Sequence, residues 1–341
     1  MTQKTKQQKQ TPPPEKRAFQ GKQLDLFQDF LCNTPAEQKR LSNTIELWDA
    51  VPKYHINRRR QGKMRTQDGF LPIAEKNFVF RGEQLTVKIQ PALLLLGGKT
   101  KAFYPAAREE LVEDALRKMA CQSGKAYLDN DRSGVMFTLH QLRNELKMNG
   151  HTLSYYEVIE ALEILVKTTI EIAPLNGKAM YVTSPLTSLL GVSKDDLKND
   201  PSSCWYADFS VLVTEGIKLI KYRQYDYALN MSFKGQLTRY LHKRMCHNYV
   251  QASMLNPYSI TMQGIARDSG LLDCVRAKNN RYKLEQALAE LQEREVISYY
   301  TSEEIRGKRN ALEDVRYTIY PHPKFVAQVK KANKRLALAN Q

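Results

Sequence analysis

A helix, two further helices joined by a turn, and a β-hairpin come twice in this chain, in the same order, and that repeat restricts the fold more than any other feature. The first pass begins with REELVEDALRKMA, between Tyr104 and Cys121. FTLHQLRNEL (Phe137 to Leu146) follows, ends at Asn149-Gly150, and gives way to a helix from Ser154 to about Lys167. Strand-like TTIEIAP and MYVTS, separated by a turn at Asn176-Gly177, close the unit. The second pass starts with a helix from about Ser232 to His247, whose Phe233, Leu237, Tyr240, Leu241 and Met245 form one apolar stripe. ITMQGIARDSG (Ile260 to Gly270), a long helix from Asp273 to about Arg294, and strand-like VISYYT and VRYTIYP around a charged loop RGKRN complete it. The two third helices align at a constant offset of 126: Ala161, Leu162 and Leu165 correspond to Ala287, Leu288 and Leu291, and Ile170 to Val296. A helix-turn-helix with an appended β-hairpin is the winged-helix plan.

The expected fold class is therefore α+β, mainly helical: two tandem winged-helix domains with a flexible basic N-terminal tail. The 341 residues suit two domains at about 150 residues each. Residues 1–50 read as the tail, 51–79 as a basic connector, 80–222 as the first winged helix, 223–325 as the second, and 326–341 as a basic C-terminal tail. Residues 1–22 are rich in Gln and Lys with a Pro12-Pro13-Pro14 run, and the apolar island QLDLFQDFL (Gln23 to Leu31) interrupts them. The connector carries Arg58, Arg59, Arg60, Lys63 and Arg65, and strand-like FVFRG and QLTVKIQ follow. From Lys324 to Arg335 the chain has five basic and no acidic residues, which suits either a docking helix or a solubilising tail.

Composition narrows the class. Hydrophobic residues make up 42% and charged residues 26%, ordinary for a globular chain. Apolar runs reach only about five residues, far short of a membrane span, and no apolar h-region follows the basic start. Five scattered cysteines, Cys32, Cys121, Cys204, Cys246 and Cys274, suit a reducing cytoplasm rather than a disulfide framework. Lys and Arg number 52 against 36 Asp and Glu, a net charge of +16, which raises the prior on a polyanionic partner.

The location of that charge is more informative. With Leu284 set at zero on a helical wheel, Ala277, Leu288 and Leu291 fall on the same face and define the buried side. Lys278, Asn279, Tyr282, Lys283 and Gln286 point away, with Arg276, Asn280 and Arg281 on the flanks. Arg and Lys suit guanine, and Asn and Gln suit adenine, so these eight residues are the candidate recognition face for double-stranded DNA. Asp273 is the candidate N-cap, and Arg306, Lys308 and Arg309 are the candidate wing contacts to phosphate. A solvated basic face is the plain alternative. The first unit differs: its third helix carries Glu157, Glu160 and Glu163, which phosphate would repel, while Ser154 and Glu157 have capping-box spacing. That unit reads as a dimerisation or protein-contact module, with Lys99, Lys101 and the basic stretch before it available to touch backbone.

No catalytic constellation emerges, and the chain is expected to be a non-enzyme without metal or cofactor. LLLLGGKT has Leu93 where a phosphate-binding loop needs glycine, so Gly97-Gly98 reads as a turn. Of six histidines only His242 and His247 are near one another, and their i, i+5 spacing puts them about 140° apart on a helix.

YLHKRMC (Tyr240 to Cys246), YSITMQGIARDSG and a basic helix ending in ALAELQEREVI resemble the C-terminal half of iteron-binding plasmid replication initiators of the IncQ RepC and TrfA type. The resemblance covers about residues 80 to 325. It implies a protein that binds direct repeats at a plasmid origin, assists opening of an A+T-rich segment, and recruits host helicase, host initiator and sliding clamp. It also implies a homodimer through the first winged helix. Gln23-Leu24-Asp25-Leu26-Phe27 is similar to the pentapeptide by which bacterial proteins bind the replicative sliding clamp, Leu26 and Phe27 filling an apolar pocket. The other reading of the island is a short amphipathic helix docked on its own domain, since Leu24, Phe27 and Leu31 have helical spacing. A promoter-binding winged-helix regulator is the alternative function.

Overall fold

A computed structural model describes residues 22–129, 131–177, 179–191, 204–308 and 312–339. An N-terminal segment forms α1 (Lys22–Gln28), α2 (Pro35–Arg40), β1 (Leu41–Ile45), α3 (Glu46–Ala50) and α4 (Arg58–Met64). Two β-hairpins follow, β2 (Ala74–Phe80) with β3 (Glu83–Gln90), and β4 (Ala92–Leu96) with β5 (Lys99–Phe103). The first repeat holds α5 (Ala107–Ala120), β6 (Ala126–Leu128), β7 (Ser133–Phe137), α6 (Leu139–Met148), α7 (Tyr155–Lys167), β8 (Thr169–Pro174) and β9 (Tyr181–Thr183). Then come β10 (Leu186–Leu190), β11 (Trp205–Phe209), α8 (Val211–Lys218), β12 (Tyr222–Asp226) and α9 (Tyr227–Ser232). The second repeat is α10 (Gln236–Asn248), β13 (Tyr258–Thr261), α11 (Met262–Ser269), α12 (Ala277–Glu293), β14 (Ile297–Arg306) and β15 (Leu312–Pro321), and α13 (Pro323–Ala339) closes the chain.

Helix exceeds strand, as expected, but the strands are numerous and the fold is mixed α/β. In one four-stranded sheet, ordered β2-β3-β8-β9, the hairpin before α5 joins the hairpin after α7, with Ile89 opposite Ile170. A second four-stranded sheet runs β10-β11-β7-β6. In the second repeat β13 pairs with β15, which pairs with β14. β1 pairs with β12 antiparallel, Asn43 opposite Gln224, so the N-terminal segment is built into the middle of the molecule.

Local sequence explains several boundaries. Ser154 accepts from the Glu157 amide while the Glu157 carboxylate accepts from the Ser154 amide, and Thr138 and Gln141 do the same at α6. Gly97 and Gly98 both take positive φ in the β4–β5 turn. The residues aligned between the two third helices, Ala161, Leu162, Leu165, Ala287, Leu288 and Leu291, are all buried. The single helix expected from Ser232 to His247 is broken at 233–235 into α9 and α10, although Phe233 is fully buried in the break.

From Lys22 onward the N-terminal segment is not a free tail. Leu24 and Phe27 of α1, and Phe30 beyond it, are buried, and Phe27 packs edge-on against Tyr222 with ring centroids 5.1 Å apart. The C-terminal stretch is likewise a docked helix. Phe325, Val326, Val329 and Ala332 of α13 are buried, and Arg335 reaches back to the other end of the chain. Its guanidinium donates to the carbonyls of Leu26 (2.5 Å) and Phe27 (3.1 Å) and to Asn43 Oδ1 (2.6 Å), and lies over the ring of Phe30. The connector is also fixed: Val51 to Ile56 are buried and Gln61 of α4 bonds the carbonyls of Ile56 and Tyr104.

The helix α5 is buried on every side, charges included. Glu109, Glu110, Glu113, Asp114, Arg117 and Lys118 are all inside. Arg117 binds Asp49 of α3 (2.7 and 2.8 Å) and Asp114 (2.6 Å), and Lys243 of α10 reaches Asp114 at 2.6 Å. Gln236 of α10 donates to Glu110 (3.0 Å), whose other contact is Arg239 at 3.7 Å. The first helix of each repeat is thereby joined by ion pairs closed off from water.

Candidate nucleic-acid interface

The fold turns α12 so that Leu284, Ala287, Leu288 and Leu291 sit in the core and the opposite side faces solvent. Arg276, Lys278, Asn279, Tyr282, Lys283 and Gln286 are exposed, Tyr282 at 61%. Arg276, Lys278 and Asn279 have no side-chain hydrogen bond or ion pair with any of the described residues, so their donors and acceptors are open to a ligand. Gln286 donates to the Tyr282 hydroxyl at 2.8 Å, which holds the two side chains together on this face. No acidic residue occurs in the first turn of α12.

Two expected contacts are used internally. Asn280 donates to the Cys274 carbonyl and accepts from the Cys274 amide, each at 2.9 Å, so its amide closes the loop onto the helix and is not available to a base. Arg281 is bound by Glu285 (2.8 Å) and by Glu304 of β14 (2.5 Å), which together raise its pKa further above the ordinary arginine value. It ties the helix to the hairpin. Asp273 is not the N-cap: α12 begins at Ala277 after Arg276, and no side chain caps it. The Asp273 carboxylate instead accepts from Lys283 (3.2 Å) and Arg60 of α4 (3.5 Å).

The hairpin β14–β15 is less basic than its tip suggests. Arg306 is paired with Glu304, Lys308 is exposed, and Arg309 lies outside the described residues. Glu303 pairs with Arg316 at 3.3 Å, and across Ile297 to Pro321 four basic residues are balanced by four acidic ones. Any attraction to phosphate is therefore local to the tip. One residue that sequence reasoning passed over is Val275, fully exposed just ahead of α12. Its apolar side chain has the chemistry to meet a thymine methyl, and only its exposure reveals it.

Basic residues elsewhere divide sharply. Arg239 and Lys243 of α10 are buried in the ion network, and Arg244 binds Asp268 at 3.1 Å. On α7 the acids are partly neutralised: Glu160 binds Arg108 at 2.6 Å and Glu163 meets Lys167 at 3.4 Å. Its exposed side also presents Tyr155 and Tyr156, with Arg143 over the Tyr155 ring at 4.0 Å. Gln23 to Phe27 lie in α1, where Gln23 and Asp25 are exposed, Leu26 half-buried, and Leu24 and Phe27 buried. That is the docked-helix reading of the island, not an extended peptide. His242 sits beside Asn230 and His247 beside Thr44, on separate sides of α10. No group of three or more His, Cys, Asp or Glu side chains placed to hold a metal occurs among the described residues. No helix among them is long and apolar enough to cross a membrane.

No family model matches this chain, and no curated protein matches it. Among solved structures it is similar to domains 2 and 3 of RctB, with TM-score 0.48 and 10% identity, covering 81% of this chain and 96% of that one. It is also similar to the Pi initiator protein solved in complex with iteron DNA, with TM-score 0.42 and 13% identity over 63% of this chain and 94% of that one. A further RctB domain 2–3 structure gives 0.41 and 11%, covering 75% and 94%. Scores of this size fall short of a common-fold match, so neither fold nor function passes from these proteins to this chain.

Proposed function

We propose that this protein is a replication initiator that binds direct repeats in double-stranded DNA through two winged-helix units, the second reading base edges with α12. The observation that carries the DNA reading is the exposed N-terminal half of α12, where Arg276, Lys278 and Asn279 stand unpaired without an acid among them. Side chains of these types at a helix start are suited to major-groove edges. Tyr282, Lys283 and Gln286 extend that face along the helix. The tip of the β14–β15 hairpin supplies the neighbouring phosphate contact.

The sequence resemblance of residues 80 to 325 supports the initiator role, with origin opening and recruitment of host helicase as its further steps. Clamp binding through Gln23 to Phe27 belongs to this reading only in a state where α1 has left its seat, because Leu24 and Phe27 are buried in the present one. The acidic third helix of the first unit and its exposed tyrosines favour a protein contact, such as a second copy, over a groove.

The test is to incubate the purified protein with sheared DNA from its own source and sequence what is retained. Tandem direct repeats beside an A+T-rich stretch are expected. Single palindromes upstream of genes would instead mean a promoter-binding regulator.

A further inference from the structure

The connector helix α4 is the strongest charged feature that the recognition helix does not account for. Its sequence, RRRQGKM, contains four basic residues and no acid. Asn57 caps it, accepting from the Arg60 amide at 2.9 Å, so the backbone is set. Arg58 is turned inward, donating to Glu109 (2.7 Å) and to the Tyr104 carbonyl (2.8 Å). Arg59 and Lys63, four residues apart, are exposed on the other side, and neither has a partner among the described residues.

Two contacts fix this helix against the second repeat rather than the first alone. Arg60 of α4 and Lys283 of α12 share the one Asp273 carboxylate, through separate oxygens at 3.5 and 3.2 Å. Next to them the His55 ring fills the space beside Gly270, which ends α11. A Cβ at Gly270 would come within 2.8 Å of that ring, and its φ of +67° also favours glycine. His55 is held in turn by donating to the Pro52 carbonyl at 2.6 Å. Lys76 of β2 belongs to the same cluster: burial, and then Arg60, push its ammonium below the ordinary lysine value. Arg60, Lys76 and Lys283 thus gather around one exposed acid just ahead of the recognition helix, and Arg59 and Lys63 stand unpaired on the same short helix as Arg60.

We propose that α4 is a second DNA-contacting helix, whose Arg59 and Lys63 bind phosphates flanking the bases read by α12. This rests on α12 entering the duplex, and it adds a sequence-independent contact that neither repeat supplies alone. Fixed cations beside a groove-reading helix set register and add affinity without adding base preference. Their removal releases fewer counterions on binding, so it flattens the salt dependence.

The experiment compares wild type with the double variant Arg59→Ala/Lys63→Ala, on the retained site and on a random duplex of equal length, across a salt series. The slope of log K against log salt is expected to become shallower by about two, with affinity for both duplexes falling by the same factor. An unchanged slope and affinity would overturn the proposal, as would a loss confined to the retained site. Lys278→Ala/Asn279→Ala is measured alongside. If it leaves the ratio of specific to random affinity intact, the reading of α12 fails whatever α4 does. If it collapses that ratio while the α4 variant binds like wild type, only the α4 proposal fails.

Discussion

Asn279 and Asn280 are neighbours of one residue type with opposite fates, and the 100° between them on the helix is the cause. Asn279 points to solvent with its amide open, whereas both polar atoms of Asn280 are spent on Cys274. Replacing Lys278 or Asn279 by Ala should lower specific affinity by about 1–3 kcal/mol per contact, with an unchanged melting curve, as titrations against specific and random duplexes would report. Asn280→Ala should do the reverse. It leaves the Cys274 amide and carbonyl unpaired and should cost about 1–3 kcal/mol of stability in chemical denaturation, without relaxing base preference. The buried face of α12 was legible from Leu284, Leu288 and Leu291, because helical period alone decides it. The loss of Arg281 was legible only in part, since Glu285 stands four residues on along the helix but the second partner, Glu304, lies on a strand 23 residues away.

At the scale of elements, the two ends of the described chain hold one another. The helical spacing of Leu24 and Phe27 was readable, but their seat is made by Tyr222, on β12, and by Arg335, near the far end of the chain. Sequence periodicity also chose Leu31 as the third apolar residue, whereas α1 ends at Gln28 and Phe30 is the one buried. Burial pushes the Arg335 guanidinium below its ordinary value, yet it keeps three hydrogen bonds to backbone and Asn43. Arg335→Ala should therefore detach α1 first, at a cost of about 3 kcal/mol. Hydrogen exchange should rise across 22–30 and 325–339 while α12 stays protected. If clamp engagement through Gln23 to Phe27 needs α1 free, the same variant should bind a clamp more tightly than wild type. Leu24→Ala/Phe27→Ala should not.

For the molecule as a whole, the ion network around α5 joins the two repeats. Asp49 shows the balance: burial would raise its carboxyl, but Arg117 and Lys243 outweigh that and hold it well below the carboxylate range. Breaking such a set is costly because the remaining charges stay buried, so Lys243→Ala should lose about 3–5 kcal/mol of unfolding free energy. REELVEDALRKMA was recognisable as a helix. That its charges lie inside was not, because their partners come from α3 and α10. Acid should also destabilise the fold. Burial lowers His55 and His247 to about 4 and His242 to about 3, so all three are neutral in the fold. Below about pH 6.5 the unfolded chain takes up protons that the folded one does not, and stability should fall steadily from there toward pH 4. Chemical denaturation at pH 7.0 and 4.5, wild type against His242→Asn, should show that loss and its reduction in the variant.

Whether α12 reads DNA sequence is decided by selection from a random duplex library, carried out with wild type and with Lys278→Ala/Asn279→Ala. The wild type should enrich one short motif, and the variant should keep bulk DNA binding while losing that enrichment. Equal enrichment by both proteins, or none by the wild type, would contradict that reading.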